Sequence, residues 1–199
     1  MTLMLDRLKT PFFRTMFGHA EIEHLTEYDS VQQAWEESTD IYWRLQVLER
    51  LRLELHSRRL TELSCQFIEA TPLGDGRNVS DLLRSDKRLG NALSAGKDYA
   101  AGKCKHGVLI EHGIRATDAF LRLCFEDNVA RPERDAAEAV CLMSSASASP
   151  LLVSQKLIEI VDAVSGGSVE HISNAMDMQQ NIIKRVYPVV PTPPYCTGR

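Results

Sequence analysis

A chain of 199 residues is long enough for one larger domain or two small ones, and it can bury a substantial core. Its 44% hydrophobic and 25% charged residues exclude wholesale disorder, and a net charge of -4 excludes a general polyanion binder, so any nucleic-acid contact must come from a local patch. Cys65, Cys104, Cys124, Cys141 and Cys196 are odd in number and include no Cys-x-x-Cys pair, which excludes a regular disulfide or zinc framework and fits reduced thiols in a cytoplasmic protein.

Residues 1–18 are apolar and basic, divided by Pro11, and Asp6 and Arg7 interrupt them too early for a signal peptide. Phe12, Phe13, Met16 and Phe17 are expected to be buried against the body or a second chain. Glu21 and His24 form a Glu-x-x-His, whose two side chains share one helical face as a metal site requires. A di-iron bundle needs two such motifs and more carboxylates, so a solvated polar turn is the expectation.

Asp29 and Ser30 can cap a helix from Val31, and Ser38, Thr39 and Asp40 offer a second start before Ile41. From there to Ala70 the chain lacks Gly and Pro, and Ile41, Leu45, Leu48, Leu51 and Leu55, then Leu60, Leu63 and Phe67, make the stripe of a long helix. Arg52 and Arg59 disturb that stripe, which predicts an interface on this face rather than closed core.

Residues 71–80 carry Pro72, Gly74 and Gly76 and read as a surface loop. A helix is expected from Ser80 or Asp81 through Leu82, Leu83, Leu89 and Leu93, loosened by Gly96 and Gly102. Neither Gly74 and Gly76 nor the run Gly90, Gly96, Lys97 has the spacing, or the preceding strand, of a nucleotide-binding loop. The next helix, residues 107–127, is expected to place Val108, Ile110, Ile114, Phe120, Leu123 and Cys124 in the core. Cys104, His106 and His112 gather possible metal ligands near Glu111, at a spacing that matches no familiar zinc site.

Pro132 suits a first helical turn, Ala136 to Met143 permit close packing, and Ser144 to Ser149 form a polar joint. Ser149 and Pro150 then start a helix from Leu151 to Val164, stopped by Gly166 and Gly167. In the next stretch, SVEHISNAMDMQQNIIKRV, apolar residues fall at Val169, Ile172, Met176, Met178, Ile182, Ile183 and Val186, with a change of face between Met176 and Met178. Two short helices with a tight turn at Asp177 fit that pattern.

This stretch and the helix before it resemble the helix-turn-helix of DNA-binding regulators. The resemblance implies that Gln179, Gln180, Asn181, Lys184 and Arg185 meet double-stranded DNA, with Gln and Asn suited to adenine edges and Lys and Arg to phosphates or guanine. From Pro150 onward, however, four basic residues meet four acidic ones, a weak electrostatic footprint. The tail, PVVPTPPYCTGR, has four prolines that enforce extended geometry.

The expected architecture is therefore all-α: a helical bundle over residues 1–148, a helix-turn-helix-like unit over 149–187, and a proline-rich arm over 188–199. Two functions compete, ahead of a third, a metal-dependent helical-bundle enzyme resting on Glu21, His24, Cys104, His106 and His112. One is a DNA-binding regulator whose bundle dimerises or binds a partner. The other is a non-enzymatic assembly or adaptor protein acting through protein contacts and self-association, with Phe12, Phe13, Phe17, Arg52 and Arg59 at the interface. Neither calls for a cofactor, a metal or a membrane span.

Overall fold

In the computed structural model, residues 27–28, 31–50, 54–145 and 148–189 are described. Phe12, Phe13, Phe17, Glu21, His24, Asp29, Ser30, Leu51, Arg52, Cys196 and the proline-rich arm from residue 190 lie outside them. The fold is all-α: the described residues form eight α-helices and one 3-10 segment, and their only β pairing is an isolated bridge between Pro72 and Asn78.

Helix α1 (Val31–Glu37) stops at the Ser38 to Asp40 stretch, and α2 (Ile41–Arg50) starts immediately after it. Asp40 makes that start, since its Oδ1 accepts the Trp43 N–H at 3.0 Å and satisfies a donor that a helix N-terminus leaves unpaired. Arg44, in the first turn of α2, is fully buried and closes the other side of the joint. Its Nε and Nη2 donate to the Trp35 carbonyl at 2.9 and 2.6 Å, and its guanidinium lies 5.9 Å from the Trp35 ring centroid. A buried cation here caps a helix C-terminus, where the dipole favours it.

Helix α3 (Glu54–Ala70) is the spine, and Leu60, Leu63 and Phe67 are buried along it as the stripe predicts. The chain then turns through residues 71–78. The helix expected to run through Leu93 is instead split: a 3-10 segment, Val79–Ser85, precedes α4 (Lys87–Ala100). Asp86 divides them because its carboxylate does two tasks that a helix interior forbids. It caps α4, accepting the Arg88 N–H at 2.9 Å, and it pairs with the guanidinium groups of Arg88 at 2.7 Å and Arg122 at 2.8 Å. Gly96 does not loosen α4 but lies buried within it.

The remaining helices are α5 (His106–Phe125), α6 (Arg131–Ser144), α7 (Pro150–Ser165) and α8 (Val169–Val186). At the start of α7, Ser149 Oγ and the Leu151 N–H both donate to Glu49 Oε1, at 2.7 and 2.8 Å, so a carboxylate from α2 sits at the positive end of the helix dipole. Gly166, at φ 64°, ends α7 in the left-handed conformation. Leu45, Phe67, Leu109 and Val140 join Leu157 and Ile183 in one hydrophobic core, so buried side chains from both sides of the Ser144–Ser149 joint interlock. Helix α5 packs on α4 and α6 and stands at the edge of this assembly.

The Asp86 cluster sets an acid-stability expectation. Hydrogen bonds from Arg88 hold the Asp86 carboxyl down at about 2, below its ordinary 3.8. A lowered folded-state value stabilises the fold above ordinary carboxylate pH, and that contribution is lost as pH falls toward the folded value. Asp86→Asn should therefore flatten the decline in stability between roughly pH 4 and pH 2, an effect on the order of 1–2 kcal/mol measurable by urea unfolding across that range.

Candidate functional site

Helix α8 is continuous from Val169 to Val186, and the turn expected at Asp177 is absent. The reason lies in the true buried stripe, Ala175, Gln179, Ile182 and Ile183, whose spacing of four, three and one is that of an uninterrupted helix. Asp177 sits on the solvent side of that helix, where it needs no special backbone conformation. Ser168 starts it, its side chain accepting the His171 N–H.

The five residues predicted to meet DNA are consequently split between core and surface. Gln179 is fully buried: its Oε1 accepts the Ser154 hydroxyl at 2.6 Å, and its Nε2 donates to Thr71 Oγ1 at 3.3 Å. It ties α8 to α7 and to the end of α3, and no groove can reach it. Gln180 is half-buried and donates to the Ser38 carbonyl at 2.8 Å. Asn181, Lys184 and Arg185 are exposed, and Arg185 donates to Gln66 Oε1 on α3 at 2.5 Å. Arg59, expected at an interface, is also exposed and places its guanidinium 5.8 Å from the Tyr187 ring centroid.

Two of the possible metal ligands, Cys104 and His106, are engaged otherwise. The Cys104 thiol donates to the Ala95 carbonyl, and the His106 ring packs at a tilt against Tyr99, centroids 5.2 Å apart. Among the described residues no group of three His, Cys, Asp or Glu side chains is placed to hold a metal ion. Burial pushes the Cys65 thiol up to about 12 and the Cys141 thiol to about 11, which removes both as ready nucleophiles. A cleft of about 350 Å³ between α3 and α4 is lined by Glu62, Cys65, Gln66, Glu69 and Lys97. Its most prominent charges, Lys97 and Glu69, pair with each other at 2.7 Å.

The informative surface is on α5. The sequence expectation put Val108, Ile110, Ile114 and Cys124 in the core; the structure leaves Val108, Ile114 and Cys124 exposed and Ile110 half-buried. The inward face is Leu109, Gly113, Ala116, Ala119 and Leu123, whose small residues let α4 and α6 approach closely. Val108, Ile114, Leu121, Cys124 and Phe125 are exposed, with Ile114 at 60%, Leu121 at 49% and Phe125 at 85%. Ile110, Ile114, Thr117, Leu121 and Phe125 recur at intervals of four, three, four and four, so they form one stripe on the outward side. An amphipathic helix needs one apolar face, and α5 has two. Leu121 and Phe125 went unremarked in the sequence because either face alone satisfies helical periodicity.

Along one flank of this stripe run Glu111, Arg115, Asp118, Arg122 and Glu126, alternating in sign. Arg115 pairs with Glu111 at 2.6 Å within the helix, both side chains more than half exposed. Among the described residues no helix is long and apolar enough to cross a membrane. No protein-family model, curated protein or solved structure matches the chain.

Proposed function

We propose that this chain is an assembly or adaptor protein that acts through protein–protein contact, with the outward face of α5 as its contact surface. The observation that carries the reading is the row Ile114, Leu121 and Phe125, held in solvent on a helix whose opposite face is already anchored in the core. Contiguous apolar surface of this kind, bordered by charge, is what protein-binding surfaces have and scattered exposed residues lack. Rigid support adds to it, because a helix fixed on its inner side loses little freedom when its outer side is covered.

The DNA-binding alternative now rests on Asn181, Lys184 and Arg185 alone. Two cations give a shallow salt dependence where a regulator needs many phosphate contacts. Two measurements separate the readings. An environment-sensitive apolar dye should bind the native chain, and Ile114→Lys combined with Phe125→Ser should remove more than about half of the signal without changing helicity. Titration with mixed duplex DNA over a salt series should show weak binding that Lys184→Ala and Arg185→Ala leave nearly unchanged. Tight, steeply salt-dependent binding that those two substitutions abolish would overturn the reading in favour of DNA.

A further inference from the structure

The charges beside the α5 stripe point to its occupant. We infer that α5 pairs antiparallel with α5 of a second copy, with Ile114 of each chain against Leu121 of the other; this rests on the reading of α5 as a contact surface. In that register Ile110 faces Phe125 of the second copy, and Thr117 lies at the centre, next to the two-fold axis. A two-fold axis makes the contact isologous, so each pair occurs twice.

The same register brings opposite charges near each other. Two antiparallel helices related by a two-fold axis bring the same flank of each to the same side of the pair. Levels that meet sum to 235 in residue number, so Glu111 of one copy lies two residues, about 3 Å of helical rise, from the level of Arg122 of the second, and Arg115 the same distance from Asp118, within reach of an arginine side chain. Glu111, Arg115, Asp118 and Arg122 each have the opposite sign within reach, and Glu126 lies beyond the paired charges, while the apolar row is in step. Parallel pairing in register would set Glu111 on Glu111 and Arg115 on Arg115, like on like. Flanking charges of this kind choose orientation and register more than they add affinity.

The pairing shares these side chains with engagements inside each copy. The Arg115–Glu111 pair is a surface contact, with side chains 58% and 63% exposed. Arg122 is more firmly held, with Nη2 2.8 Å from Asp86 and Nε 3.5 Å from Glu126, yet its side chain is 54% exposed and its Nη1 lies outside both contacts. The inner face does not compete at all, since Leu109, Ala116, Ala119 and Leu123 stay in the core of each copy. Residues 110–125 span roughly 22 Å at helical rise, so the contact covers on the order of 1,000 Å², the low end for specific association. A contact of that size belongs with weak, reversible associations.

Sedimentation equilibrium of the full chain from about 1 to 200 µM tests this. The expected result is a monomer–dimer equilibrium that Leu121→Lys weakens at least about tenfold with helicity unchanged. Arg115→Glu alone and Asp118→Arg alone should each weaken the dimer, and their combination in one chain should restore it. Geometry is read separately by oxidation in a Cys124→Ser background. A mixture of the Ile114→Cys and Leu121→Cys proteins should cross-link to each other more than either does to itself. A chain that stays monomeric to 200 µM, or a Leu121→Lys dimer as tight as wild type, overturns the pairing. So does self-cross-linking of Ile114→Cys in preference to the mixture. If the monomer still binds the apolar dye at α5, the contact-surface reading survives and only the self-pairing fails; if it binds none, both fail.

Discussion

Gln179→Ala is expected to lower the stability of the fold by about 2–3 kcal/mol, which in a chain of this size moves Tm down by roughly 5–10 °C. The side chain is fully enclosed, and its amide is the hydrogen-bond partner of the Ser154 hydroxyl on α7 and of Thr71 at the end of α3. Truncation leaves a cavity and also removes the acceptor of a buried hydroxyl, and the two losses add. Asn181→Ala, two residues on and exposed, should change stability by no more than about 0.5 kcal/mol. Urea unfolding of both variants decides the matter. Equal, small effects would mean that Gln179 is not the tie between helices that its contacts describe.

Glycine-to-alanine changes at two positions should have opposite signs. In a helix interior the change ordinarily stabilises by about 0.5–1 kcal/mol, since alanine loses less backbone freedom. Gly90→Ala in α4 should follow that rule, for a Cβ there meets nothing within 4 Å. Gly113→Ala in α5 should break it, since its Cβ would stand 2.8 Å from the Ser144 carbonyl oxygen and 2.9 Å from Ser144 Oγ. One of those atoms is backbone on α6, so relief requires α5 and α6 to move apart. The net cost is expected at about 2 kcal/mol or more, read as a lower urea midpoint at unchanged slope. A stabilised Gly113→Ala protein would show that the α5–α6 approach is looser than described.

The same contact explains why the fold was readable in outline and the site was not. Leucine and isoleucine spacing, caps and glycine stops foretold an all-α chain, the α3 stripe and the Ser149 and Gly166 boundaries of α7. They failed where residue type and environment disagree. Gln179 is polar and reads as outward, but a buried amide with two partners costs little and fills an inward position as an apolar residue would. Placing it outside required a change of face at Asp177, which produced the two-helix reading. In α5 the error ran the other way. Its inward residues are largely alanine and glycine, which carry almost no hydropathy signal, so the larger Ile114 and Val108 were assigned to the core they do not enter. Asp86 shows a third kind of failure. Its partner Arg122 comes from another helix, and no local pattern announces a bond across thirty-six positions.

The Trp35 indole N–H donates to the Tyr187 carbonyl at 2.9 Å, just past the end of α8. An early segment is thus latched by nearly the last part of the described chain. On a ribosome, where synthesis runs at about 5–20 residues per second, helices α2 to α7 can gather while Trp35 waits roughly 8–30 seconds for its acceptor to emerge. Until then the indole and the adjoining apolar wall remain open, and the nascent chain is at its most vulnerable to chaperone capture or to sticking. Shortening the chain ahead of residue 187 should leave that latch permanently undone.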